Sequence, residues 1–174
     1  MKKLCILILL IFICIGCGKK EEESIKEETP PVIEEPKEIS IIDVNSNTRP
    51  YAIVINNSTV AVKVQTGLQQ AYIVYEFPVE GGLTRLMALY KDVPDFTIGT
   101  IRSSRHNFLD YAMEHDAIFI HFGWSHYAED DERELRYDYI NGTLGGGPFW
   151  RENPESLATE HTAYTGIEKI KEYV

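Results

Sequence analysis

Ala71-Tyr72-Ile73-Val74-Tyr75-Glu76-Phe77-Pro78-Val79, then Glu80-Gly81-Gly82, then Leu83-Thr84-Arg85-Leu86-Met87-Ala88-Leu89-Tyr90-Lys91, is the stretch that decides the fold. Its first segment alternates, with Tyr72, Val74 and Glu76 on one side and Ile73, Tyr75 and Phe77 on the other. A period of two is the mark of a strand. Glu80-Gly81-Gly82 supplies a tight turn, because glycine adopts backbone angles that other residues resist. Leu83 to Lys91 returns as a second strand, and the two predict a hairpin.

Outward from the hairpin, Tyr51 to Asn56 is an apolar strand ended by Asn56-Asn57-Ser58. Gln65 to Gln70 reads as a short helical turn and Phe96 to Ile101 as a short strand. Ser103 or Ser104 is placed to cap a helix running to about Glu114, with Phe108, Leu109, Ala112 and Met113 as its buried stripe. Ala117 to Phe122 is a continuous apolar run of the kind found in sheet centres. His126 to about Tyr137 predicts a helix with its acids (Glu129, Asp130, Asp131, Glu132) early and Arg133 and Arg136 late, which suits the helix dipole. Thr165-Gly166-Ile167-Glu168 reads as a capping box, followed by Ile167, Ile170 and Val174 on one helical face. Strands and helices mix without strict alternation. The prediction is a mixed β-sheet packed with a few helices, of α+β or α/β class. The apolar face that reaches Val174 without a partner predicts a domain incomplete at that end.

The N-terminus has a different texture. Met1-Lys2-Lys3 is basic, Leu4 to Ile15 is an unbroken apolar run, and Gly16-Cys17-Gly18 leads abruptly into charge. The run is about a dozen residues, short of the ~20 a spanning helix needs. Residues 1–16 read as a signal peptide and Cys17 as a lipid-attachment cysteine. An uncleaved anchor helix is the competing reading. Two acyl chains at Cys17 would give stable membrane attachment. Residues 17–40 form an acidic tether of Pro, Glu and Lys that cannot bury enough apolar surface to fold. The folded domain is then residues 41–174. Cys5, Cys14 and Cys17 are the only cysteines, so an acylated Cys17 leaves the mature chain without a free thiol. The formal net charge of -10 disfavours a nucleic-acid partner, which needs a basic face.

Several stretches together resemble the YerB-like lipoprotein family of Firmicutes, a domain of unknown function. They are Arg49-Pro50-Tyr51-Ala52-Ile53-Val54-Ile55-Asn56-Asn57, Gln65-Thr66-Gly67-Leu68-Gln69-Gln70-Ala71, and Val74-Tyr75-Glu76 with Val79-Glu80-Gly81-Gly82-Leu83-Thr84-Arg85. Ile98-Gly99-Thr100-Ile101-Arg102-Ser103-Ser104-Arg105 and Asp116-Ala117-Ile118-Phe119-Ile120-His121 continue the likeness. The resemblance implies an extracytoplasmic lipoprotein, with a second β-rich part following the present one. It implies no reaction.

Three groups of residues can carry chemistry. Arg102-Ser103-Ser104-Arg105, at a helix start, offers guanidinium groups, hydroxyls and free backbone N–H groups to an anion, and Arg85 can join from the hairpin. The competing reading pairs these arginines internally with Glu76, Glu80 or Asp110. Glu76 and Glu80 are a candidate carboxylate pair for glycoside hydrolysis, or else salt-bridge partners of Arg85 and Arg102. His121, at a strand end, is a candidate general base; with His126 and Asp116 it is also a conceivable metal set, though the spacing matches no familiar pattern. A half-buried, hydrogen-bonded histidine is the plainer reading, and His161 is similar. Phe149, Trp150, Trp124 and Tyr127 are either a sugar-stacking surface or core. Gly142-Thr143-Leu144-Gly145-Gly146-Gly147 lacks the Gly-Lys-Ser/Thr ending of a phosphate loop and reads as a turn. No cofactor and no metal is expected.

The leading functional expectation is a membrane-tethered envelope binding module on the extracytoplasmic face. Its partners would be the bilayer, through acylated Cys17, and a cell-wall polymer or a membrane protein. The alternative is an envelope hydrolase acting on peptidoglycan or a related polymer through Glu76, Glu80 and His121.

Overall fold

The computed structural model describes residues 41–174; the signal segment, Cys17 and the tether through residue 40 lie outside the described residues. Strand β1 (Tyr51–Asn56) is the axis of the fold, with every residue after Tyr51 buried. Such a strand must be covered on both faces, and its Ala-Ile-Val-Ile run supplies apolar side chains to each.

The predicted hairpin forms. β2 (Ile73–Pro78) and β3 (Thr84–Tyr90) pair antiparallel from Ile73↔Leu89 to Pro78↔Thr84. The turn between them holds Gly81 and Gly82 at φ +71°, the left-handed region that glycine tolerates. β3 also pairs antiparallel with β1, Tyr51↔Tyr90 through Asn56↔Arg85. On the other side of β1 lie two parallel strands, β5 (Ile118–His121) and β6 (Tyr139–Asn141). The sheet order is β2-β3-β1-β5-β6. A smaller antiparallel sheet, β4-β8-β7, is made of β4 (Thr97–Gly99), β7 (Phe149–Arg151) and β8 (Ala163–Gly166).

Helix α1 (His106–Glu114) lies on one face of the large sheet, where Phe108, Leu109 and Ala112 join Ala52, Val54, Met87, Leu89 and Phe119 in one core. Burying each large side chain contributes roughly 1.5–3 kcal/mol. Helix α2 (His126–Leu135) packs beside α1. The opposite face carries Ile53, Ile55, Leu86, Ala88, Tyr90 and Ile120 against Ile98 and Ala163 of the small sheet, and against Ile167 and Ile170 of helix α3 (Ile167–Tyr173). The result is a mixed α+β structure of three layers: helices, large sheet, small sheet with α3.

Several boundaries differ from the sequence reading. The first helix begins at His106 with Arg105 in the N-cap position, so neither Ser103 nor Ser104 caps it. Met113 is 40% exposed and drops out of the stripe. Thr165 makes no capping box: it is the third residue of β8, fully buried, and its hydroxyl donates to the Pro148 carbonyl. Val174 is exposed, while Ile167 and Ile170 are buried as expected.

Candidate functional site

The topology brings the chemically interesting residues to one edge of the large sheet. β1, β5 and β6 run parallel and end there at Asn56, His121 and Asn141. β3 begins there with Thr84 and Arg85, and Arg85 stands opposite Asn56. Ligands of open α/β sheets collect at the carboxyl ends of such strands, because the loops that follow are free to carry function.

The segment 101–105 crosses this edge and is held on both sides by its main chain. Arg102 N–H donates to Val54 O (3.0 Å) and Ser104 N–H to Gly123 O (2.9 Å). In return Arg102 O accepts from Phe122 N–H (3.0 Å), and Ser104 O from Ser125 N–H (3.1 Å). The turn is therefore a fixed bridge between the end of β1 and the loop after β5. Beneath it lies Arg85, only 7% exposed, whose Nη1 donates to Ser103 O at 2.5 Å. Arg102 is half-buried; its Nη1 donates to Glu160 O at 3.1 Å, and its Nε is buried with no hydrogen-bond partner among the described residues. Arg105 is clamped by Glu80 through two parallel bonds, Nε to Oε1 and Nη2 to Oε2, each 2.6 Å.

Three guanidinium groups so close repel one another. Burial, reinforced by repulsion from Arg105 and Arg102, pulls the Arg85 pKa down to about 10. Arg102 is lowered too, chiefly by burial, with Glu160 opposing and Arg105 adding to the shift. Glu80 is held down at about 2, chiefly by the Arg105 hydrogen bonds. Glu80 pairs with Arg105 alone. Among the described residues no carboxylate comes within ion-pair range of Arg85 or Arg102. Internal pairing of the arginines therefore accounts for one of the three.

The two serines do not present hydroxyls as the sequence reading required. Ser103 Oγ donates to Phe122 O (3.1 Å), and the fully buried Ser104 has its Oγ 3.4 Å from Arg105 O. Glu76 is not a free carboxylate either: its Oε1 accepts from Thr84 Oγ1 (2.6 Å) and Asn57 Nδ2 (3.1 Å). His121 is fully buried, out of reach of any bulky substrate. Its Nδ1 faces Gly123 O at 2.8 Å and must donate, and its Nε2 lies 3.2 Å from Oε2 of the equally buried Glu132. The contact is not aligned as a hydrogen bond, and both Glu132 oxygens lack other partners. His126 and Asp116 are elsewhere, beside Asp130 and Arg49. No metal set forms from the three.

The aromatic residues separate as well. Trp124 packs on Tyr139 and His121, Phe149 on Phe122, and Trp150 on Tyr164. Phe122, Phe149, Trp150 and Arg151 line a shallow cleft that includes none of Arg85, Arg102 and Arg105. We place the site at the arginines because a concave surface is common, whereas a buried cation without a counter-ion is not.

Sequence reasoning passed over Asn56 and Glu160. Asn56 Oδ1 accepts from Ser58 N–H (3.1 Å), and its Nδ2 lies 2.7 Å from His161 Nδ1. The available signal was a polar residue directly ending a fully apolar strand.

Comparison with known proteins defines the class. Residues 39–174 match the family described as protein of unknown function (DUF3048), N-terminal domain, and the chain belongs to that family. Among individual relatives, it is 32% identical over 170 residues to the Bacillus subtilis (strain 168) protein named "Putative lipoprotein YerB". That alignment covers 96% of this chain and 49% of the relative, so the chain spans about half the relative's length. The crystal structure of YerB from Bacillus subtilis superposes with a TM-score of 0.65 at 37% identity, covering 71% of this chain and 42% of that one. The mixed α+β architecture is thus shared with a solved relative.

Proposed function

We propose that this chain is the folded head of a lipid-anchored envelope protein, held at the extracytoplasmic face through acylated Cys17, and that its arginine edge binds an anionic group of a cell-wall polymer. The observation that carries the binding reading is Arg85: a residue 7% exposed, with two further arginines near it and, among the described residues, no carboxylate within ion-pair range, Glu80 acting on it only from beyond its own pair with Arg105. Buried charges are ordinarily paired, since an unpaired one loses its hydration without recompense. An anion from outside supplies the missing partner. The name of the Bacillus relative supports the anchor. The hydrolase reading fares worse, because Glu80 is clamped by Arg105 and His121 is sealed.

Two experiments test this. Anionic wall fragments are expected to raise the melting temperature of the full chain in neutral detergent and to leave the Arg102→Gln variant, checked for native folding, unmoved. No shift at high ligand would sink the binding reading, and release of muropeptides from purified wall would restore the hydrolase. For the anchor, cells labelled with palmitate are expected to mark the wild-type chain and not Cys17→Ser.

A further inference from the structure

Asn56 fixes the chemistry of His161. Its amide orientation is set by the Ser58 N–H, which donates to Oδ1. Nδ2 is therefore the atom that faces His161 Nδ1 at 2.7 Å, and Nδ2 can only donate. His161 Nδ1 must then accept, so the ring is neutral and carries its proton on Nε2. His161 directly follows Glu160, whose carbonyl is bonded by Arg102, and Asn56 stands opposite Arg85 in the β1–β3 ladder. Half-buried His161 thus sits one residue from the carbonyl that Arg102 holds, with its ring bonded to the residue opposite Arg85.

We propose that the anion bound at this edge is a phosphate group, monoester or diester, with Arg85 and Arg102 as its charged donors and His161 Nε2–H as its neutral one. The proposal rests on the anion-binding reading above and narrows it. A carboxylate has two oxygens in one plane, and one guanidinium fork satisfies it, as Glu80 on Arg105 demonstrates. A phosphoryl group spreads its charge over oxygens directed tetrahedrally and needs donors arriving from several sides. Arg85 arrives from β3, Arg102 from the segment before α1, and His161 from the turn before β8. The charge also fits: a monoester carries about -1.5 to -2 at pH 7 and matches Arg85 and Arg102 together, whereas a diester, with one negative charge, matches one of them.

Calorimetric titration of the full chain in neutral detergent tests the proposal, with inorganic phosphate and glycerol 3-phosphate set against acetate and succinate at matched ionic strength. The phosphates are expected to bind about tenfold or more tighter than the carboxylates. His161→Ala should weaken phosphate binding and leave acetate unchanged, with His161→Gln recovering part through its amide N–H. Equal affinity for acetate and phosphate would overturn the phosphate assignment while leaving an anion site in place. Binding of none of the four would remove the anion site as well. Unchanged phosphate affinity in a folded His161→Ala would remove the histidine from the site. The source is resolved with vesicles and the full-length Cys17→Ser chain, which has no acyl chain to insert. Selective binding to phosphatidylglycerol over phosphatidylcholine assigns a lipid headgroup, whereas glycerol 3-phosphate binding without vesicle binding assigns a soluble or polymer phosphate.

Discussion

Among the described residues Arg85 pairs with no carboxylate, yet the fold buries it. Below pH ~10 the buried guanidinium is charged in the folded protein at a cost that the unfolded chain does not bear. The unfolded state binds the extra proton from about 10 up to the ordinary arginine value, so this penalty applies in full at neutral pH. Replacing Arg85 with methionine removes the charge and one hydrogen bond to Ser103 O. The expected outcome in urea unfolding at pH 7 is stability within about 1 kcal/mol of wild type, or above it, with anion binding abolished. A loss beyond about 3 kcal/mol would make Arg85 a structural residue. Glu80 behaves in the opposite sense. Its folded pKa of about 2 lies below the ordinary 4.5, so its contribution is present above pH 4.5 and is lost as pH falls through 2. Because its side chain is 66% exposed, that contribution is at most about 1 kcal/mol. Urea titrations of wild type and Glu80→Gln are expected to differ at pH 6 and to converge toward pH 2. Glu80 and Arg85 were both legible as charged residues near a turn. Their different fates were not, because burial at the sheet edge depends on β1 and on the bridging segment, both distant in sequence.

At the scale of elements, the sequence pattern read β2 by its alternation, β3 as the return from the Gly81-Gly82 turn, and β1 and β5 as apolar runs, β5 to within one residue at each end. It missed β6, β7 and β8. These are short segments set among glycines, aromatics and polar residues, without the continuous apolar run that marked β5 in Ala117–Phe122. Thr165 was read as a cap because a strand and a helix abut there with no loop between them. Two tests belong to this level. Gly67 holds φ +83°, and a methyl group added to it would meet the Thr97 carbonyl oxygen at 2.6 Å. Gly67→Ala is expected to cost about 1–3 kcal/mol in thermal or urea unfolding by pushing the turn before β2 off the small sheet. The buried His121–Glu132 pair links β5 to α2. Glu132→Ala should destabilise by about 3–5 kcal/mol, because it leaves the ring without its partner. The double variant His121→Phe with Glu132→Met is expected to recover most of that loss in the same urea assay.

Across the whole molecule, the fold class was legible and the layer order was not. Composition and pattern indicated a mixed sheet with helices. They could not show that the small sheet covers one face of β1 and α1 the other, since Ile53 and Val54 look alike in sequence and face opposite cores. The candidate site was half legible: Arg85, Arg102 and Arg105 do converge, the serines turn inward, and His121 is buried against Glu132. In a chain of formal charge -10, this arginine edge is a local exception. An anion that binds only the folded protein should stabilise all of it through mass action. At one hundred times its dissociation constant the gain is about 2.7 kcal/mol, visible as a shift of the urea midpoint with unchanged slope.

The bridge at 101–105 carries one more implication. Its N–H groups at Arg102 and Ser104 are spent on Val54 and Gly123, and the carbonyls of the same residues are spent on Phe122 and Ser125. Discrimination between ligands therefore falls to side chains standing on a scaffold that its own main-chain bonds hold, with Arg85 and Arg105 adding one bond each, to Ser103 O and Ser104 O. Such a division makes the edge easy to diversify: descendants of one ancestor can exchange the side chains at 85, 102, 105 and 161 and acquire new ligands while the backbone stays where it is.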